Sequence, residues 1–196
     1  MDNCFEATMV RHCAATLAGH KCGSLFSWKR GEAEEMERAA ERLNAALNGR
    51  GVYLKIMKKC PVGGLVYVYR AEALERRLED PEIRRFLSQY GYEEWSEGAC
   101  LDCLKRHICD QPSFPHEVGI FLDYPLEDVV GFIRHGGRAY CCQGCWKAYG
   151  HAEEAQKRFS LYQKCARIYR DCYDRGFDVA RLTVSSTGRN PIKRLA

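Results

Sequence analysis

The residues best equipped for chemistry are sulfurs: Cys100-x-x-Cys103 and Cys142-x-x-Cys145 repeat one spacing, in a chain with twelve cysteines. Two such pairs can offer four soft thiolates to a tetrahedral zinc or an iron–sulfur cluster. On a helix Cys100, Cys103 and His107 share one face at i, i+3 and i+7, close enough to share a metal. The pairs stand far apart in the chain, and neither has the glycine-rich knuckle that turns amides toward sulfur; chance pairing of small core residues is the competing reading. Cys141-Cys142-x-x-Cys145 also has the spacing of a thioredoxin-type dithiol, but the residues after Cys145 do not read as the required helix.

Imidazole and carboxylate come together at His116-Glu117. Consecutive residues do not face each other on a helix and point to opposite faces of a strand, so neither simply orients the other. Residue 120 is Ile, so this is not the H-E-x-x-H zinc motif. His116 can act as a single ligand, or as the base for a thiol such as Cys13 or Cys142 brought near by folding. A histidine hydrogen-bonded at a helix start is the plainer alternative. Trp146-Lys147 can floor a pocket for a flat or anionic ligand, whereas Cys13, Cys165 and Cys172 sit on apolar helical stripes as core residues do.

The elements that must position these groups follow from periodicity. Phe5, Met9, Cys13 and Leu17 recur at four-residue steps, which predicts a helix over 2–18 with Gly19 as its stop. A short strand is expected at 25–28 and a helix at 32–47. Val52–Lys58 and Leu65–Arg70 read as a hairpin around CPVGG. Helices are expected at 71–78, at 81–90 behind Asp80-Pro81, and at 97–108. Residues 115–124 are ambiguous between helix and strand. Pro125 opens a helix at its first position, with Glu127 and Asp128 complementing the positive end of the dipole and Gly136-Gly137 closing it. Residues 138–142 read as a strand or extended turn, and 151–175 as the longest helix, stopped by Gly176.

Composition places these elements in one α+β domain, a small antiparallel sheet covered by several helices over 1–182, followed by a flexible basic tail at 183–196. Hydrophobic content of 46% and charged content of 29% are those of a globular protein. The start MDNCFEATMV lacks a secretory pattern, and no run reaches the roughly 18 apolar residues of a membrane span, so the expectation is a cytoplasmic protein with reduced cysteines and no membrane contact. A net charge of +4, interspersed along the chain and without a zinc-finger, RRM or helix-turn-helix pattern, argues against nucleic acid.

Through RHCAATLAGHKCGSLF at 11–26, FPHEVGIFLDYPLEDVVGFI at 114–133 and GRAYCCQGCWKAYG at 137–150, the chain resembles a family of anaerobic bacteria that is an uncharacterised domain of unknown function. The resemblance falls on Cys13, Lys21, His116, Glu117, Gly119, Cys142, Gly144, Trp146, Lys147, Tyr149 and Cys165. It implies that Cys100, Cys103 and Cys145 are additions of this sequence, and a neighbourhood with flavodoxin and iron uptake, hence a flavodoxin-like or other redox partner.

The leading expectation is therefore a thiolate/imidazole site for iron, zinc or an iron-containing cofactor in anaerobic metal or redox metabolism. Cys13, His116 and Glu117 are its candidate catalytic residues, Lys21, Trp146 and Lys147 its candidate cofactor contacts, and Cys100, Cys103, Cys142 and Cys145 its candidate metal ligands. The alternatives are an enzyme with a His116-activated thiolate at Cys13 or Cys142, and a non-catalytic interaction module for a redox partner.

Overall fold

A computed structural model describes residues 5–185. The expected α+β class is observed, with helices and small antiparallel sheets. The chain divides into two compact units, residues 1–74 with 164–196, and residues 75–163. The cuts fall inside two helices, α3 (Ala71–Leu78) and α8 (Ala152–Asp174).

Unit 1 is built on a three-stranded antiparallel sheet, β1 (Gly23–Trp28), β2 (Val52–Lys59) and β3 (Gly64–Arg70), in the order β1-β3-β2. β3 is central, and its run of Val and Tyr is buried at nearly every position, as a strand paired on both sides requires. The hairpin stands where its alternation predicts it. Its turn needs glycine, because a Cβ at Gly63, where φ is +69°, would lie 1.9 Å from the Trp28 carbonyl oxygen. The edge strand β2 is blunted locally: the Asn44 side chain accepts from Leu54 N at 2.8 Å and donates to Leu54 O at 2.9 Å.

Helix α1 (Phe5–Leu17) packs on β1 and α2 (Ala33–Leu47) on β2. Met36, Ala39, Ala40, Leu43 and Leu47 form the buried stripe of α2, as their spacing predicts. Gly19 ends α1 in a Schellman turn: its φ is +80°, His20 N donates to Ala15 O, and Gly19 N to Thr16 O. Buried Arg70 adds charged donors at the same helix end, donating to Thr16 O and Leu17 O at 2.6 Å each and to Val184 O at 2.8 Å. This cation at a helix C-terminus gives the Thr16 and Leu17 carbonyls a second donor each and complements the dipole.

A short helix α9 (Val179–Leu182), capped by Asp178, has no counterpart among the elements expected from periodicity. It anchors the backbone on its C-terminal side. Thr183 is fully buried, Val184 N donates to Leu17 O, and Arg50 donates to Thr183 O. Thr183 and Val184, the first residues of the expected tail, make these hydrogen bonds; residues 186–196 lie outside the described residues, as do Asp2–Cys4 of the first expected helix.

Unit 2 contains α4 (Pro81–Ser88), α5 (Glu97–Asp110), α6 (Val118–Phe121), α7 (Leu126–His135) and the two-residue strands β4 (Cys142–Gln143) and β5 (Lys147–Ala148). Asp80 caps α4 through Glu82 N and Ile83 N with Pro81 at its first position. Ser96 caps α5, which runs two residues past its expected end at Ile108. The ambiguous 115–124 segment folds as the single turn α6. Pro125 is the N-cap of α7 rather than its first helical residue. The extended stretch expected at 138–142 lies a few residues later, where β4 and β5 pair Cys142 with Ala148 and Gln143 with Lys147. No described helix is long and apolar enough to cross a membrane.

Candidate functional site

The site in unit 2 begins with close packing between α6 and α7. Gly119 permits it, since a Cβ there would lie 2.7 Å from a Val129 methyl. Arg77 of α3 holds the exit of α6, donating to Ile120 O at 2.7 Å and to Tyr124 O, with its guanidinium 3.2 Å from the Asp123 carboxylate. That contact fixes Asp123 at a positive φ of 62° and sets the position of Tyr124.

Asp128, in the first turn of α7, is the hub. Its carboxylate is almost fully buried, accepting from Trp146 Nε1 at 2.6 Å through Oδ2, and from Tyr149 N at 2.6 Å and Gly150 N at 3.3 Å through Oδ1. The side chain read from the sequence as a dipole partner therefore ties the β4–β5 hairpin to α7. A buried carboxylate is tolerated here because three N–H groups face it. Gly144 completes the docking: a Cβ would meet the Phe159 ring at 2.3 Å, so only glycine lets this turn approach α8. Trp146 is buried, stacked on Tyr124 (centroids 5.0 Å, interplanar angle 25°), with the edge-on ring of Phe159 at 4.4 Å.

These contacts leave a cavity of about 320 Å³. Tyr124, Phe132 and Trp146 supply its aromatic lining, Val118, Gly119 and Val129 its aliphatic part, and His116, Asp128, Gln143, Cys145 and Lys147 its polar groups. His116 is exposed and packs edge-on against Phe132 at 5.0 Å. Lys147 Nζ donates to Gly137 O at 2.7 Å and lies 4.8 Å over the Tyr140 ring; no described carboxylate pairs with it. Tyr124 Oη donates to Cys145 O at 3.3 Å, and burial pushes its phenol up to about 12.

His116, Gly119, Gly144, Trp146 and Lys147, five of the residues on which the resemblance falls, line this one cavity. Cys142 does not. Its thiol is directed to Ala152 O at 3.8 Å and is pushed up by burial and by neighbouring Cys141, while the thiol sharing the cavity with His116 is Cys145. Cys13 belongs to unit 1, where it is fully buried on α1; burial drives its thiol far above the thiolate range, opposed only by the nearby Lys21 charge. Such a thiol is unsuited to attack as an anion.

Glu117 partners His107 and not its neighbour His116, in keeping with the expectation that consecutive residues do not orient each other. It is 2% exposed, and its Oε1 lies 2.6 Å from His107 Nδ1 and 3.5 Å from Tyr92 Oη. The other ring nitrogen of His107, Nε2, lies 3.7 Å from Cys103 Sγ, and the Tyr92 ring stands edge-on to the imidazole at 5.4 Å. Cys100 Sγ donates to Glu94 O at 3.2 Å and Cys103 Sγ to Gly91 O at 3.7 Å. Adjacency of 116 and 117 in sequence thus places one side chain at the cavity and the other in a buried cluster.

The expected four-thiolate centre is not formed: among the described residues no group of three or more His, Cys, Asp or Glu side chains converges to hold a metal. The reason is topological. Cys100 and Cys103 lie on α5 facing the Gly91–Glu94 backbone, while Cys142 and Cys145 lie in and beside the β4–β5 hairpin, and no disulfide links the described cysteines. Sequence reading missed Tyr124, Phe132, Gln143 and Asp128 as site residues. Only Asp128 carried a usable signal, being an acid beside the buried positions of α7.

Comparison with curated proteins and with solved structures returns no match. A family model described as protein of unknown function (DUF3793) matches residues 9–183, and the chain belongs to that family.

Proposed function

We propose that unit 2 is a binding module for a small aromatic ligand carrying one anionic group, held in the cavity between α6, α7 and the β4–β5 hairpin. The observation that carries this reading is the cavity's composition. At about 320 Å³ it has the size of a small-ligand site, its lining is largely aromatic and aliphatic, and few polar groups converge on it. Lys147 offers donors beyond the one given to Gly137 O, and His116 stands exposed at the lining beside Phe132. Asp128 does not compete for the ligand's donors, because its oxygens already accept three N–H groups.

The test is a fluorescence titration with two matched pairs, flavin mononucleotide against riboflavin and indole-3-acetate against its amide. The anionic member of at least one pair binds saturably and more tightly than its neutral partner, and Lys147→Met lowers the anion's affinity about tenfold, the loss of one exposed charge-assisted hydrogen bond. Absence of saturable binding by all four, or an unchanged anion preference in Lys147→Met, contradicts the reading. The reading invokes no metal or cluster: among the described residues no group of three or more His, Cys, Asp or Glu side chains supports one.

A further inference from the structure

Outside the cavity, unit 2 holds a thiol, an imidazole and a carboxylate in series, with a second thiol three residues away on the same helix. Cys103 and His107 are four residues apart on α5, the spacing that brings side chains together on one helical face. The buried Glu117 carboxylate accepts from His107 Nδ1 at 2.6 Å, which fixes that nitrogen as the proton carrier and leaves Nε2, with its lone pair, 3.7 Å from Cys103 Sγ. Tyr92 closes the far side of the arrangement, its hydroxyl on Glu117 and its ring edge-on to His107. This is the order of roles by which a base activates a thiol and a third group orients the base.

We propose that Cys103 and Cys100 form a dithiol that exchanges with a low-molecular-weight disulfide, with His107 as the base and Glu117 as its positioning residue. The Cys103 thiol turns its single proton from Gly91 O to His107 Nε2, which lies at the same 3.7 Å, and gives it up there, and the resulting thiolate attacks one sulfur of the substrate disulfide. The substrate S–S bond breaks, a mixed disulfide forms on Cys103, and the departing thiolate takes the proton from His107. Cys100 then attacks Cys103 Sγ, releasing the second substrate thiolate, which leaves with the Cys100 proton. Two electrons pass from the dithiol to the substrate, giving two substrate thiols and a Cys100–Cys103 disulfide.

The helix makes the closing step feasible, since residues three apart have Cα atoms about 5 Å apart, within the span a disulfide bridges. Burial raises both thiols above the ordinary value, helped at Cys100 by Cys103 and at Cys103 by the Glu117 and Glu93 charges, while Arg106 near Cys103 and Arg84 near Cys100 oppose it, so the proton must be taken by His107 in the attack itself. Cys103 is only 5% exposed, behind Gly91, which suits a small disulfide better than a protein surface.

The experiment treats the native chain with bis(2-hydroxyethyl) disulfide, quenches with acid and maps the cysteines by mass spectrometry. The Cys100–Cys103 disulfide is expected to appear before adducts accumulate on exposed Cys60 and Cys141. In Cys100→Ser the adduct remains on Cys103. In His107→Gln the Cys103 reaction slows about a hundredfold, the loss of a general base, and Glu117→Gln slows it less; the Cys60 rate stays constant in both. The native-chain measurement needs no substitution to decide the matter: adducts on Cys60 and Cys141 with Cys100 and Cys103 still reduced overturn the proposal. So does a Cys103 rate that is equal in folded native and His107→Gln chains.

Discussion

Units 1 and 2 both bury polar side chains, and they direct them differently. In unit 1 the buried Arg70 spends its guanidinium on the backbone carbonyls of Thr16, Leu17 and Val184. In unit 2 Asp128 meets Trp146 besides two backbone amides, and Glu117 meets His107, which meets Cys103. Polar groups turned on backbone ends hold a fold together, whereas side chains turned on each other hold functional groups in defined orientations. The same contrast separates Cys13, fully enclosed on α1, from Cys103, set against a ring nitrogen.

The contrast is broken most severely at its hub. Asp128→Ala leaves Trp146 Nε1 and two backbone amides without their acceptor, and is expected to cost about 4 kcal/mol in urea unfolding while freeing Trp146 emission to shift red. If Asp128→Ala costs less than Arg70→Met, the hub is not central to unit 2. Arg70→Met is expected to cost about 3 kcal/mol by removing charged donors from three carbonyls, with ligand affinity in the unit 2 cavity unchanged. Gly144→Ala forces a Cβ into the Phe159 ring and is expected to cost about 2 kcal/mol while weakening ligand binding, because the turn it displaces lines the cavity.

A smaller effect sharpens the comparison through pH. Burial raises the thiols of Cys13 and Cys100, the latter to about 11, above the ordinary 9.0. The unfolded chain therefore loses these protons first. The stability they contribute is full below pH 9 and falls as pH rises from 9 toward the folded values. Unfolding free energies measured from pH 7 to 10.5 should be level at the lower end and decline above 9, with Cys100→Ala showing the shallower decline.

Much of the fold was legible in the sequence where the determinants are local. The hairpin over 52–70, α3 and α8 follow from alternation, a 3.6-residue period and glycine stops, and Asp80-Pro81 and Gly19 mark ends that the structure keeps. The β4–β5 hairpin was misplaced because two-residue strands carry no alternation; what positions them is Asp128, some twenty residues upstream. Trp146 and Lys147 were legible as pocket residues from their chemistry. The histidine that Glu117 serves was not, since docking of α6, and no spacing rule, brings residue 117 to residue 107. Likewise, equal spacing of two C-x-x-C runs says nothing about whether a helix and a hairpin point them at one centre.

The most direct test of the central claim, that unit 2 binds its ligand in the cavity beside Cys145, is alkylation of the native chain by iodoacetamide with and without a saturating aromatic anion identified by the titrations. The ligand is expected to slow modification of Cys145 severalfold and to leave exposed Cys60 and Cys109 at their original rates. Equal slowing at all three, or none at Cys145, would contradict it.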